Sequence, residues 1–149
     1  MIFRCLLVVT AASALLAPPL ADACVCTINI AKAKDASTVV FIGTITKQKE
    51  SKSCDAIQKP ACGSVFTYTV AVEGVFKGTV GKTVTVKSGR AKGTCSTGLI
   101  GRHGKGNKWL FFSKSAAEPF ELRICGGTLQ ITPKLNDFVT QELGAPKAP

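Results

Sequence analysis

The residues with the most chemistry in them are Cys24, Val25 and Cys26, placed directly behind Ala21-Asp22-Ala23. Ala-Asp-Ala has the small-x-small form that signal peptidase cuts. Arg4 supplies a positive n-region and Leu6 to Leu16 an apolar run of leader length, so residues 1–23 are expected to be a secretory signal peptide. The apolar run is shorter than the ~20 residues a membrane span needs, and Pro18-Pro19 interrupts it. Asp22 also fits a lipoprotein acylation signal badly. Cleavage after Ala23 makes Cys24 the first residue of the mature chain, with a free α-amino group. A terminal amine carried on a C-x-C pair that disulfides can immobilise is a rigid, chemically armed terminus.

The remaining cysteines define what could immobilise it. Cys5 leaves with the leader, and Cys24, Cys26, Cys54, Cys62, Cys95 and Cys125 remain. An even number in a small exported domain implies a disulfide framework. One intervening residue makes a bridge between Cys24 and Cys26 strained, so each is expected to take a distant partner. Cys54 and Cys62 flank a polar, Pro-containing stretch that suits a local bridge.

Other chemistry is sparse. His103 is the only histidine, in Gly101-Arg102-His103-Gly104-Lys105-Gly106, without a second histidine for a zinc site. That run lacks the GK[ST] ending of a phosphate loop. No Ser-His-Asp set or carboxylate pair stands out, and export into an oxidising compartment argues against redox or copper chemistry at a reduced C-x-C. No enzymatic activity and no cofactor of the protein's own are expected. Net charge is +10, and loss of Arg4 and Asp22 with the leader leaves it unchanged. A chain this basic is expected to adhere to polyanions such as heparan sulfate. One Trp and one Tyr offer little for base stacking, and no nucleic-acid partner is expected.

The elements that must position these residues read as mainly β. Five strands are expected: Ser37–Thr46, Ser64–Val72, Lys82–Lys87, Lys108–Ser113 and Phe120–Cys125. In the second, Phe66, Tyr68, Val70 and Val72 share one face, and Val65, Thr67, Thr69 and Ala71 the other. KWLFFS at 108–113 is continuously apolar and is expected to be buried on both sides. Lys47–Gly63, Phe76–Gly81 and Gly89–Lys108 read as loops. A short helix is expected over Ile28–Ala36 and a longer one over Thr132–Leu143, with Thr132 as cap, Pro133 at its first position and Gly144 as stop. Leu135, Phe138, Val139 and Glu142 follow helical spacing, placing an apolar face on the sheet. Residues 24–144 fit one domain, with 145–149 as a disordered tail. Five strands, long loops and a terminal helix fit a disulfide-stapled, five-stranded OB-like closed barrel with one or two flanking helices. An immunoglobulin-like sandwich would need about seven strands.

The order Cys-x-Cys, Val75-Phe76-Lys77-Gly78, Cys95-Ser96-Thr97-Gly98-Leu99, Lys108-Trp109-Leu110-Phe111 and Leu122-Arg123-Ile124-Cys125 resembles the N-terminal domain of tissue inhibitors of metalloproteinases, in the netrin-like family. The resemblance runs from Cys24 to about Leu143. It implies an OB-like barrel crossed by its N-terminal segment, with bridges Cys24–Cys95 and Cys26–Cys125. Closing loops of that length would stabilise by roughly 4–5 kcal/mol each in the chain-entropy model. The family's third bridge has no cysteines here, and Cys54–Cys62 stands as a local replacement. The 149 residues include no counterpart of the vertebrate inhibitors' second domain. Val25 stands where Thr or Ser is usual, and Ile28 where Pro is common.

The implied activity is inhibition of secreted metalloproteinases. A catalytic zinc keeps one open position for water. The Cys24 amine and carbonyl oxygen would chelate that zinc in a five-membered ring. Val25 would enter the primed-side specificity pocket, and Cys26, Thr27 and Ile28 would lie along the cleft, with Gly93 and Thr94 beside them. The alternative is a netrin-like matrix- or heparin-binding module that inhibits nothing. In that reading Lys47, Lys49, Lys52, Lys87, Arg90, Lys92, Arg102, Lys105 and Lys108 form basic loops that hold glycosaminoglycan.

Overall fold

The computed structural model describes residues 28–53, 63–88, 105–122 and 125–149. The protein is mainly β: a curled, mixed six-stranded sheet with two helices. The elements are α1 (Ile30–Asp35), β1 (Val39–Ser53), β2 (Gly63–Lys77), β3 (Thr83–Ser88), β4 (Lys108–Ser113), β5 (Phe120–Leu122), β6 (Leu129–Gln130) and α2 (Pro133–Leu143). Strand order is β5-β3-β2-β1-β4-β6. All neighbours are antiparallel except β3 and β5. Among the described residues the hydrogen-bonded ladder ends at β5 on one side and β6 on the other.

Burial on both faces explains the two most apolar strands. Val39, Phe41 and Ile45 of β1 and Trp109 and Phe111 of β4 enter one cluster, with Tyr68, Val70, Val72, Val84, Val86 and Phe120. Val40 and Ile42 of β1 and Leu110 and Phe112 of β4 enter a second, with Ile30, Val139 and Leu143 of the helices. Period-2 alternation assigns neighbouring side chains to opposite clusters, and the run KWLFFS is therefore apolar at every core position. Burial pushes the Tyr68 phenol up to about 12, so it stays protonated through the neutral range.

The sheet curls until its β5 edge returns toward β1 and β4. Phe120 of β5 lies 5.6 Å from Phe41 of β1, ring centre to ring centre, although β3 and β2 separate their strands in the ladder. The Ser113 hydroxyl of β4 donates to the Glu121 carbonyl of β5 at 3.2 Å. Curvature comes from β1. Its register on β2 shifts at Val40/Phe41, Ile42/Gly43 and Ile45/Lys47, and bulges of this kind bend a strand and tighten its twist. Gly43 allows the closest approach, since a Cβ there would sit 2.4 Å from the Ala71 carbonyl oxygen.

Several expectations are corrected. Lys47–Gly63 is not a loop throughout: β1 continues to Ser53 and β2 begins at Gly63, paired down to Ser53 opposite Gly63. The polar residues of that stretch satisfy the ladder through their backbones while several side chains meet solvent. β2 likewise runs on to Lys77, and the turn begins at Gly78, whose φ of 78° suits glycine. A sixth strand, β6, joins the five expected. In α2 the Thr132 side chain makes no capping bond; its carbonyl accepts from Leu135 and Asn136 instead. Pro133 and Gly144 hold the expected positions. Val139 and Leu143 are buried, but Phe138 is 46% exposed, because the buried stripe of α2 is narrower than its apolar composition. At 145–149, expected as a disordered tail, Val75 and Lys147 exchange two backbone hydrogen bonds of 2.9 and 2.8 Å, and Pro146 covers Gly74.

One ion pair marks where the helices stop covering the outer face of the sheet. Lys108 pairs with Glu73, which also accepts from the Thr44 hydroxyl at 2.6 Å. Partial burial pushes the Glu73 carboxyl up, but the bonds from Lys108 and Thr44 and the charge on Lys108 outweigh it and hold the group below its ordinary 4.5. A depressed carboxylate stabilises above its unfolded value, and that contribution disappears as pH falls through the folded value. Glu73→Gln should therefore lower the melting midpoint slightly at neutral pH, and by progressively less as the pH is lowered through the acid range. The effect is small because both side chains are partly solvated. A loss that does not shrink as the pH falls would refute an electrostatic role for the pair.

Candidate functional site: the base of the N-terminal segment

Of the residues expected to act in inhibition, Ile28 is described; of the basic residues expected in loops, Lys47, Lys49 and Lys52 lie in β1, Lys87 in β3 and Lys108 in β4. Cys24, Val25, Cys26 and Thr27 lie outside the described residues, as do Gly93, Thr94, Cys95, His103 and the pair Cys54 and Cys62. The structure therefore defines the base from which the terminus emerges.

That base is α1. Ile28 is 40% exposed, Asn29 caps the helix by accepting from the Lys32 amide at 2.9 Å, and Ile30 is buried in the second cluster. The far end of α1 is held by two lysines. The Lys77 ammonium donates to the carbonyls of Lys34 and Asp35 at 2.9 and 3.1 Å. Lys34 donates onward to the Leu143 carbonyl at 3.1 Å, so one cation satisfies the end of each helix. The Ser37 hydroxyl donates to the Ala33 carbonyl at 2.7 Å.

The turn after β5 completes the clamp. Cys125 is disulfide-bonded, and it adopts φ 55°; no other cysteine is among the described residues. Two residues on, Gly127 has φ 96°, and a Cβ there would lie 2.7 Å from the Ala33 methyl and 3.0 Å from the Phe112 ring. Cys125 and Gly126 share a cavity of about 230 Å³ with Ala33, Ala36, Ser37, Phe112 and Lys114. The disulfide-bearing turn thus lies directly against α1. Gly127→Ala should cost about 2–4 kcal/mol, from a left-handed backbone and a contact that must open. A thermal midpoint unchanged by that substitution would show that the turn is not packed as described.

On the other side of α1, Ile28, Asn29, Ile30, Leu129, Leu135, Phe138 and Glu142 line an open groove of about 430 Å³. Sequence reasoning missed Asn29, Lys77, Lys34 and Gly127. Asn29 before a short helical stretch and the Gly126-Gly127 pair behind Cys125 carried a usable signal; the two lysines carried none. Among the described residues no three His, Cys, Asp or Glu side chains group as metal ligands, and no helix is long and apolar enough to cross a membrane. No known family model matches this chain, and no curated protein matches it.

Proposed function

We propose that this protein is a secreted inhibitor of zinc metalloproteinases, related to the tissue inhibitors of metalloproteinases and built on an OB-like barrel. The observation that carries the reading is the clamped α1. The helix that follows the C-x-C is fixed by the sheet, by two lysines and by the turn that bears a disulfide-bonded Cys125. Three residues separate Cys24 from Ile28, and the four Cα–Cα steps between them keep the terminal amine within ~14 Å of this anchored base. A short tether on a rigid base is what a wedge needs, since a loose terminus would lose ordering entropy on binding. The parallel β3/β5 pair, and the approach of β5 to β4 through Ser113 and Glu121, support closure of the five main strands into a barrel.

In the proposed mechanism, bridges Cys24–Cys95 and Cys26–Cys125 fix the terminus. The α-amine, with an ordinary pKa near 8, gives up its proton at modest cost. Amine and Cys24 carbonyl oxygen displace the water on the target's zinc. Val25 fills the primed-side pocket with a side chain nearly isosteric with threonine, without the hydroxyl. Cys26, Thr27 and Ile28 follow the cleft, flanked by Gly93 and Thr94. The protein catalyses nothing and carries no metal of its own.

The test has two parts. Mass spectrometry of the exported chain should find it beginning at Cys24 with an unmodified amine. That chain, titrated against a panel of matrix metalloproteinases, should inhibit at least one stoichiometrically. A different or acylated N-terminus, or a panel with no inhibited member, defeats the proposal.

A further inference from the structure

The second helix carries an uncovered face. Val139 and Leu143 are buried, whereas Phe138 stands exposed on the same helix. Phe138 borders the open groove beside α1, with Leu135 and Glu142 of its own helix and Ile28 and Leu129 from outside it. Ile28 and Phe138 are the exposed large apolar side chains among the described residues, and both line this groove. Apolar residues scattered singly over a surface are ordinary, but two around one concavity mark a contact surface.

The charges of α2 follow a pattern about that ring. Phe138 is the midpoint of the 11-residue helix Pro133–Leu143. Lys134 lies four residues before it and Glu142 four residues after it, and both are exposed. The three form one i±4 ridge, with a cation ~6 Å along the axis on one side of the ring and an anion ~6 Å along on the other. Neither charge makes an ion pair among the described residues. Asp137, the remaining charge on α2, falls about 100° round the helix from Phe138 and off the ridge. Lys34 reaches α2 from α1, but it donates to the Leu143 carbonyl at 3.1 Å. A row ordered cation, ring, anion is complementary to itself run backwards.

We infer that this face of α2 is a self-association surface, on which a second copy of the chain docks antiparallel about a two-fold axis at Phe138. Interdigitated i±4 ridges are the commonest packing of two helices, and the antiparallel pair sets Lys134 against Glu142 of the other copy and Glu142 against its Lys134. Phe138 of each copy packs against Phe138 and Leu135 of the other at the mouth of the groove. Each chain carries a net charge of +10, but α2 itself holds one cation and two anions, so this face meets its copy without the repulsion that basic surfaces face. A contact made by one helix face is small, and the dimer is therefore weak and concentration-dependent. The pairing does not rest on the proposed inhibition, and either can fail without the other.

Sedimentation equilibrium of the intact exported protein tests the pairing, at physiological salt so that the general repulsion between basic chains is screened. The mean mass should rise with concentration from one chain to two and stop there. Phe138→Ala should weaken association by about 30-fold or more, as loss of a central aromatic anchor does. Lys134→Glu and Glu142→Lys should each weaken it roughly 10-fold, because two attractive pairs become two repulsive ones. Both reversals in one chain should restore association to near the wild-type value, since the row is again self-complementary. Asp137→Lys, off the ridge, should change it little. Melting curves in dilute solution, where every variant is a single chain, establish that each is folded. A single-chain mass at every concentration would overturn the inference and leave the face to another partner. Mass that grows past two chains would overturn the two-fold pairing. So would a double reversal no better than either single one, or Phe138→Ala associating as tightly as wild type.

Discussion

A single residue added ahead of Cys24 is expected to abolish inhibition, raising the inhibition constant by more than about 100-fold. The extension turns the terminal amine into a peptide nitrogen, which has no lone pair available for zinc, and it adds bulk where the metal would sit. The curled sheet, α1 and the disulfide-bonded turn at Cys125 are untouched, so the extended chain should melt at the wild-type temperature. That separation of activity from stability is the useful feature of the experiment. An extended chain that inhibits as well as wild type would mean that binding comes from other surfaces and that the amine is idle.

Phe41→Ala should have the largest effect on the fold. Phe41 is fully buried, stacks on Phe111 at 4.9 Å and meets Phe120 at 5.6 Å. It therefore joins β1 to β4 and to the returning β5. Truncating such a ring leaves a cavity that a curved sheet cannot collapse around, at a cost of about 3–5 kcal/mol. For a domain of this size the midpoint should fall by about 10–20 °C. Phe138→Ala, on an exposed ring of the same type, should change it by no more than a degree or two. Similar losses in the two variants would mean that the curled interior does not organise the molecule.

The parts legible in the sequence were those where side chain and backbone carry the same message. Lys108–Ser113 is apolar on both faces because two clusters meet there, and Thr83–Ser88 alternates because one face is solvated. α2 announces itself through Pro133 and Gly144. The distal half of the β1–β2 hairpin was not legible, because KQKESKS reports solvent at its side chains and says nothing of backbone pairing. Phe138 misled for the reverse reason: helical spacing gives a face, and tertiary packing decides how wide a stripe is covered. Contacts across long sequence separations, such as Lys77 to α1 or Gly127 to Ala33, have no local signature. The same holds for Lys49 and Lys87, which flank Thr67 only through the register of β2. At the proposed site, C-x-C beside a cleavage motif suggested the chemistry, while the clamped base came from the fold.

Visible absorption of a cobalt-substituted metalloproteinase is the most direct test of the proposed chelation. Adding the chain that begins at Cys24 should shift the cobalt bands, saturating at one equivalent, as nitrogen and carbonyl oxygen replace water. The chain extended by one residue should leave the spectrum unchanged. Full inhibition of the cobalt enzyme with no change in its bands would contradict the account.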